Sequence, residues 1–319
     1  MNSSILYHAA RQFLVSIVYN FSPLAKASNA CYRGAMKSGF VILAGRSNVG
    51  KSTLLNAIIG TKVAIVTPKP QTTRHPVRGI LHDPRGQIVF VDTPGVFLGK
   101  KDHLSKRLND IVSESLEGVD AIVYVVDPTR EPGAEEEYIQ KLLCAAPVPI
   151  VMAINKIDAA EQKQSALELF RSTNVNQRAN IEVSAKNHKN LNNLVDTLFA
   201  LMPEGEMMYP DMQLTDIGHN QWLEELIREK IFLSLGEEIP YSIKVALEAS
   251  ETREDGSRFI QANVWTTDER YKKMIIGSKA SMIKSIGMLA RKELELALNA
   301  KVFLELTVKV DPKWQERFF

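Results

Sequence analysis

Cysteine is nearly missing from this chain: of 319 residues, only Cys31 and Cys144 carry a thiol. They share no ligand spacing and allow no disulfide framework, which excludes a disulfide-stapled scaffold and suits a reducing compartment. Histidine is sparse, six in all and scattered, so no metal cluster is legible. Excess charge is missing as well. The 39 basic and 37 acidic residues leave +2, so a nucleic-acid site has to be a local patch. No apolar run approaches the roughly 18 residues of a membrane span. The hydrophobic content of 45% and charged content of 24% are those of a globular protein, and the length has room for about two domains.

What is present starts with Gly45-Arg46-Ser47-Asn48-Val49-Gly50-Lys51-Ser52. This is G-x-x-x-x-G-K-S, a phosphate-binding loop. An apolar run at 40–44 reads as a buried strand before it, and 52–59 reads as a helix that stops at Gly60. A loop between strand and helix N-terminus aims backbone N–H groups and the helix dipole at an anion. Lys51 adds a point charge for the terminal phosphates, and the Ser52 hydroxyl can hold Mg²⁺. The loop and its helix start supply Gly45, Ser47, Asn48, Val49, Gly50, Lys51, Ser52 and Thr53 as nucleotide-binding candidates. The motif alone does not separate ATP from GTP.

Downstream, 61–66 leads into a polar stretch with Pro68 and Pro70 that argues against regular structure. Residues 77–83 and 87–91 read as strands joined by Asp83-Pro84-Arg85-Gly86, a type I turn pattern and so an antiparallel hairpin. The second strand runs into Asp92-Thr93-Pro94-Gly95. A carboxylate at the end of a buried strand is costly unless bonded, and Asp92 can bind the water shell of the metal, while the Gly95 N–H can bond a terminal phosphate. Helices are expected at 104–116, 135–144, 160–171 and 190–201, with strands at 121–126, 149–154 and 181–183. That alternation predicts an α/β fold, a doubly wound and mostly parallel sheet covered on both faces.

Two strand ends carry further chemistry. Asn155-Lys156-Ile157-Asp158 offers a carboxylate, Asp158, that can accept from both N1–H and the N2 amino group of guanine. Adenine lacks that donor pair and would leave the carboxylate unpaired. Asn155 is expected to bond the base edge and tie the loop to the phosphate loop, and the Lys156 stem to pack over the base. In Ser184-Ala185-Lys186, a backbone N–H can reach guanine O6.

The ordered set G-x-x-x-x-G-K-S, T-T-R, D-T-P-G, N-K-I-D and S-A-K resembles the translation-factor class of GTPases. The resemblance assigns Thr73, before Arg74, the second hydroxyl on Mg²⁺, with Thr72 as runner-up, and it makes Lys51, Thr73, Asp92, Gly95 and Asn48 the catalytic set. Val96 follows Gly95 where Ras-like relatives carry a glutamine, so no side chain there can orient the attacking water. Related GTPases with an apolar residue at that place can use K⁺, held partly by an asparagine of the phosphate loop, and the resemblance gives that place to Asn48.

After a linker at 204–218, the chain reads α-β-β-α-α-β: a helix at 219–235 with Leu223, Leu226, Ile227 and Ile231 on one stripe, strands at 241–247 and 258–265, a helix leading into Gly277, a long helix at 281–298 and a strand at 301–310. This order resembles a type II KH domain, an α+β fold that grips single-stranded RNA with a G-x-x-G loop between two helices. Gly277, Ser278, Lys279 and Ala280 occupy the loop, with Lys272, Lys273 and Lys284 around it. Ala280 stands where the pattern has its second glycine. It is read here as the first helical residue, a conformation alanine favours.

A GTPase followed by a type II KH domain resembles the Era family. The local matches are Met36-Lys37-Ser38-Gly39-Phe40, Leu226-Ile227-Arg228-Glu229-Lys230, Ile286-Gly287 with Ala290-Arg291-Lys292, and Phe303-Leu304-Glu305-Leu306 with Val308-Lys309-Val310. They imply a GTPase domain at 36–203 and a KH domain at 219–319. Ser47 departs from the family's proline. The resemblance implies conversion of GTP to GDP and phosphate with Mg²⁺, binding of small-subunit rRNA near its 3′ end, a role in small ribosomal subunit assembly, peripheral membrane association in bacteria, and a monomer. Two other readings remain: a non-catalytic RNA-binding adaptor that holds GTP, and a tRNA-modification GTPase of the TrmE type. Residues 1–35 hold Arg11, Lys26 and Arg33 but no acid. They read as a transit peptide, giving a mitochondrial or plastid matrix location, or as sequence before a true start at Met36, giving a bacterial cytoplasmic one.

Overall fold

The computed structural model describes residues 36–96, 118–159, 164–236 and 239–314. The helix expected at 104–116, the first turn of the one expected at 160–171, and the segment 1–35 lie outside those residues. Six strands build the first sheet: β1 (Lys37–Ala44), β2 (Val77–Asp83), β3 (Gly86–Asp92), β4 (Ala121–Val126), β5 (Ile150–Ile154) and β6 (Ala179–Glu182). Their spatial order is β2-β3-β1-β4-β5-β6. β2 and β3 form the expected hairpin, with Asp83 opposite Gly86, and the other neighbours are parallel. The order reverses at β1: β3 and β2 lie on one side of it, and β4, β5 and β6 on the other. The crevice beyond its carboxyl end is where such sheets bind ligands.

β3, β4 and β5 are buried along their whole length, which is why they read as continuous apolar runs rather than alternating ones. Among the described residues, four helices cover the sheet: α1 (Lys51–Ile59), α2 (Ala134–Cys144), α3 (Gln164–Ser172) and α4 (Leu191–Leu201). Alternate strand residues serve opposite faces. Val41 and Leu43 pack with Leu54, Leu55, Leu194 and Leu198 of α1 and α4. Ile42, Tyr124 and Met152 pack with Ile139, Leu143 and Phe170 of α2 and α3.

The second sheet is β7 (Ile243–Thr252), β8 (Arg258–Thr266) and β9 (Val302–Val310), in that order, antiparallel then parallel. The first of these strands starts two residues later than expected because Ile239–Ser242 winds a single 3-10 turn. Three helices pack on one face: α5 (His219–Ser234), α6 (Glu269–Ile276) and α7 (Ser281–Leu298). The stripe of α5, Leu223, Leu226, Ile227 and Ile231, is buried against Ile286, Ala290 and Leu294 of α7, both at helical spacing. One member of this second core, Ile65, comes from the stretch just after α1.

Candidate functional site

The phosphate loop leaves β1 at Ala44 and enters α1 at Lys51. Asn48 and Gly50 take left-handed φ values of 65° and 99°, which curl the backbone inward. A β-carbon on Gly50 would sit 2.4 Å from the Asn155 side-chain nitrogen. The Lys51 ammonium folds back to donate to the carbonyls of Gly45 and Arg46, each at 3.0 Å. Burial pushes its pKa down to about 8, against the opposing pull of Asp92. A cavity of about 480 Å³ opens over the loop, bordered by Ser47, Gly50, Ser52, Thr53, Thr73, Gly95 and Lys156.

Three oxygens converge beside Lys51. Asp92 is fully buried at the end of β3. Its Oδ2 accepts from the Ser52 hydroxyl at 2.6 Å and from the Thr73 hydroxyl at 3.4 Å, and the two hydroxyls stand 3.1 Å apart. Its Oδ1 is buried with no hydrogen-bond partner among the described residues. Burial pushes this carboxyl up to about 6. An orphaned carboxylate oxygen beside two converging hydroxyls fits a hard divalent cation that takes its other ligands from phosphate and water. Ser52, Thr73 and Asp92 would hold Mg²⁺, and bound there it would neutralise phosphate charge. Thr72 is turned away: its hydroxyl meets that of Thr67 at 2.6 Å and donates to the Lys69 carbonyl at 2.8 Å.

At the base end, Ser184 donates to Asp158 Oδ1 at 2.6 Å. That bond fixes the carboxylate and leaves Oδ2 as its second acceptor. Asn155 ties its loop to the phosphate loop: its amide donates to the Val49 carbonyl at 2.9 Å, and its Oδ1 accepts from the Ala185 N–H at 3.0 Å. One N–H of the amide is used on Val49, which leaves the second as a donor for a base edge. Lys156, at a left-handed φ of 62°, lays its ammonium between the Asn48 carbonyl and Asp127 Oδ2, each at 2.7 Å. Lys186 is exposed beside this pair of loops.

Sequence reasoning missed Asp127, Arg130 and Arg46. Asp127 ends buried β4 as Asp92 ends β3, so the same argument could have found it. Although burial opposes its ionisation, hydrogen bonds from Lys156 and Thr129 hold its carboxyl below the usual range. Arg46 is buried and pairs with Glu136 at 2.9 Å. It also donates to the carbonyls of Glu131 and Arg130, at 3.1 and 3.4 Å, which ties the phosphate loop to the start of α2.

The D-T-P-G loop lies against the phosphate loop. Ser47 N–H donates to the Val96 carbonyl at 3.2 Å and Val96 N–H to the Gly45 carbonyl at 3.3 Å. The Val96 side chain is fully buried, so it reaches no water in the cavity. Asn48 donates through Nδ2 to the Pro68 carbonyl at 2.7 Å.

Residues 61–75 have one side on the cavity and the other on the second domain. Lys62 pairs with Glu229 at 2.7 Å and with Glu293 at 2.6 Å, and the Val66 N–H reaches Glu229 at 3.0 Å. The Lys69 ammonium donates to the carbonyls of Phe232 and Leu235. Arg74 is buried and donates to the carbonyls of Ile243, Pro240 and Tyr241 at 2.7, 3.0 and 3.2 Å. Its guanidinium also sits 5.7 Å from the ring centres of Phe232 and Trp314. Burial, then neighbouring Arg228, hold it below its ordinary pKa. Arg228 in turn donates to the Thr72 carbonyl at 2.6 Å. Thr73, in the metal set, therefore has a neighbour on each side bonded into the second domain.

The RNA-clamp candidate turns between α6 and α7. Gly277, Lys279 and Ala280 have φ values of 73°, 49° and 60°. The helical reading of Ala280 is corrected: it is the left-handed cap residue before α7. The chain reverses between two helices in four residues, and a single glycine does not supply all the left-handed turn required. Lys273, Ser278, Lys279 and Lys284 are exposed around it, and Lys272 is half-buried.

Comparison with known proteins places these sites in a family. Residues 40–156 match the family described as 50S ribosome-binding GTPase, and residues 238–315 match the KH domain family. The chain is 43% identical to GTPase Era of Halothermothrix orenii over 284 residues, covering 88% of this chain and 95% of that protein. It is 39% identical to GTPase Era of Heliobacterium modesticaldum, over 88% and 94% of the two. It superposes with a TM-score of 0.82 on a crystal structure of Era in complex with MgGDPNP and nucleotides 1506–1542 of 16S ribosomal RNA, at 37% identity and covering 89% of this chain and 96% of that one. A point variant of Aquifex aeolicus Era bound to GDP and aluminium fluoride gives the same TM-score at 36% identity, over 89% and 97%. With both domain types in order and this coverage along the whole length of the relatives, the chain belongs to the Era family of GTPases.

Proposed function

We propose that this chain hydrolyses GTP and uses the nucleotide state to set how its KH domain holds small-subunit rRNA near the 3′ end, assisting small ribosomal subunit assembly. The observation that carries the reading is the placement of Thr73. Its hydroxyl stands in the metal set, while Thr72 and Arg74 on either side are bonded to Arg228 and to the segment that opens β7. A terminal phosphate with its metal draws Thr73 in, and loss of that phosphate frees it. A shift at Thr73 then pulls on the KH domain without any other messenger. The 16S rRNA fragment in the complex of the related Era supports the choice of RNA.

K⁺ belongs to the same reading. The donor end of the Asn48 amide is committed to Pro68, which leaves its oxygen as the end that can accept a monovalent cation beside the phosphates. The bacterial origin of the curated relatives supports a bacterial location; a cytoplasmic monomer with peripheral membrane association completes the proposal, and among the described residues no helix is long and apolar enough to cross a membrane.

The test is fluorescence anisotropy with a labelled fragment of the rRNA 3′ end. The GTP-analogue form should bind several-fold more tightly than the GDP form, and the Arg74→Ala variant should lose that difference while keeping its nucleotide. Equal RNA affinity in both nucleotide states rejects the switch. RNA binding by a parent chain that never turns over GTP selects the adaptor reading.

A further inference from the structure

The nucleotide cavity is bordered by three cations: Lys51, Lys156 and Arg130. Lys51 faces the phosphate loop and Lys156 lies along the base end. Arg130 has no part in either arrangement, yet its backbone is held as firmly as theirs. The turn that carries it is closed by Asp127, which accepts from the Thr129 N–H at 2.9 Å and the Thr129 hydroxyl at 2.6 Å. Buried Arg46 holds the carbonyls on and after it. The Asp127 carboxylate accepts from Thr129 and Lys156 and also pairs with the Arg130 Nε at 3.4 Å. That pairing uses one edge of the guanidinium.

Its Nη2 donates to the Ser47 carbonyl at 2.9 Å. Ser47 is the point at which the phosphate loop touches the D-T-P-G loop. A β-carbon on Gly95 would lie 2.5 Å from the Ser47 α-carbon, and the Ser47 hydroxyl meets the Gly95 carbonyl at 3.3 Å. A terminal phosphate bonded by the Gly95 N–H and by Lys51 would lie near that junction. A guanidinium carries five N–H donors, so Arg130 can keep its bond to Ser47 and present others to a phosphate oxygen.

We propose that Arg130 is a further catalytic residue, contacting the terminal phosphate of GTP and stabilising the charge that builds as the phosphoryl group transfers. The proposal rests on the hydrolytic reading of this cavity. In the reaction, the oxygen of a water molecule forms a bond to the terminal phosphorus. The bond from that phosphorus to the bridging oxygen breaks, and GDP leaves with the electron pair. The proton of the water goes to the released phosphate. Charge moves toward the bridging oxygen in the transition state, and a fixed cation beside it lowers the barrier. The need is acute here, because buried Val96 offers no polar group to the water.

Single-turnover GTP hydrolysis, measured with the affinities for GDP and for GDP with aluminium fluoride, tests this on the full chain. Arg130→Ala should slow hydrolysis by roughly a hundredfold and weaken the aluminium fluoride complex by a similar factor, with GDP affinity within about twofold of the parent. Arg130→Lys should recover part of the rate. Hydrolysis by Arg130→Ala at the parent's rate overturns the proposal, and so does a loss of GDP affinity equal to the loss of rate, which would make Arg130 a brace of the loop. A parent chain that binds GTP but never hydrolyses it rejects the reading of the cavity itself, and the proposal falls with it.

Discussion

Residues 45–50 and residues 277–280 both turn the chain ahead of a helix, and each helix is entered through a left-handed residue, Gly50 before α1 and Ala280 before α7. Their surroundings differ. The first loop is held by Asn155, Lys156, Arg130 and its own Lys51, and it forms the floor of a deep cavity. The second is a surface turn with exposed Ser278 and Lys279, and its only glycine is Gly277. A loop that encloses a triphosphate has little freedom in residue type. A loop that meets an RNA backbone from outside keeps the turn but tolerates strain at one position, and electrostatic attraction supplies much of the binding.

The sharpest way to break this comparison is to add one methyl group to each loop. Gly50→Ala meets two obstacles, a φ of 99° and the Asn155 amide 2.4 Å from the new atom. Left-handed backbone alone costs an alanine about 1–2 kcal/mol, and displacing Asn155 also frees the Val49 carbonyl. Nucleotide affinity by titration should fall by more than about thirtyfold. A smaller loss in Gly50→Ala than in an alanine at Gly277, read through RNA affinity, would reverse the contrast between enclosed and open loops.

Asp158→Asn probes the other end of the enclosed site. The amide replaces one acceptor with a donor pair facing guanine, and an unpaired buried polar group costs roughly 1–3 kcal/mol. GTP affinity should drop about tenfold or more, with xanthosine triphosphate binding gained. Unchanged GTP affinity would mean that Ser184, which holds Asp158 at 2.6 Å, had fixed it away from the base.

Enclosure has an electrostatic signature as well. Burial raises the Asp92 carboxyl to about 6 and lowers the Lys51 ammonium to about 8 in the nucleotide-free chain. For folding, the Asp92 shift costs stability as pH rises from the ordinary carboxylate range through about 6, and the Lys51 shift costs stability that is regained as pH rises above about 8. For binding, the ionised carboxylate and the charged ammonium are both the competent forms. Nucleotide affinity in Mg²⁺ should therefore be highest between about 6 and about 8 and fall on either side. A flat profile across both limbs would show that neither group is as enclosed as its burial indicates.

Legibility in the sequence followed the same divide. The strands of the first sheet, its hairpin and the five nucleotide elements were readable because buried parallel strands leave continuous apolar runs and because phosphate, metal and guanine each demand fixed residue types at strand ends. Thr73 brings its hydroxyl beside Ser52 and Asp92, and Asp158 is bonded by Ser184. For Asn155 the tie to the phosphate loop was readable, but its bond from Ala185 was not, because that partner is a backbone N–H thirty residues on. Arg74 and Arg228 were opaque for a similar reason. Beyond the local pair of Arg228 with Glu225, the bonds that join the domains go to backbone carbonyls more than 150 residues away in the chain, and no local pattern announces a carbonyl.

Ala280 was opaque too, and it gives the smallest and most discriminating effect. Alanine is a strong helix former, and it stands one residue before a helix, so propensity favours a helical conformation. The turn overrides it: φ is 60° at Ala280 and 49° at Lys279. Replacing Ala280 with glycine removes strain of about 1–2 kcal/mol, while the freer unfolded chain takes back roughly 0.4–1 kcal/mol. The net expectation is a gain of about 0.5–1 kcal/mol in thermal or denaturant unfolding. Loss of the β-carbon also lets an RNA phosphate come closer to the loop, and the lysines that draw it in are untouched, so single-stranded RNA affinity should rise only a few-fold. Lys279→Glu should lower it by more and flatten its dependence on salt, since a phosphate contact contributes about one unit of slope. Destabilisation by Ala280→Gly would show that residue 280 is helical in solution after all. A parent chain that binds no RNA until Ala280 becomes glycine would show that this clamp needs both glycines, and that electrostatic attraction without a bare backbone is not enough.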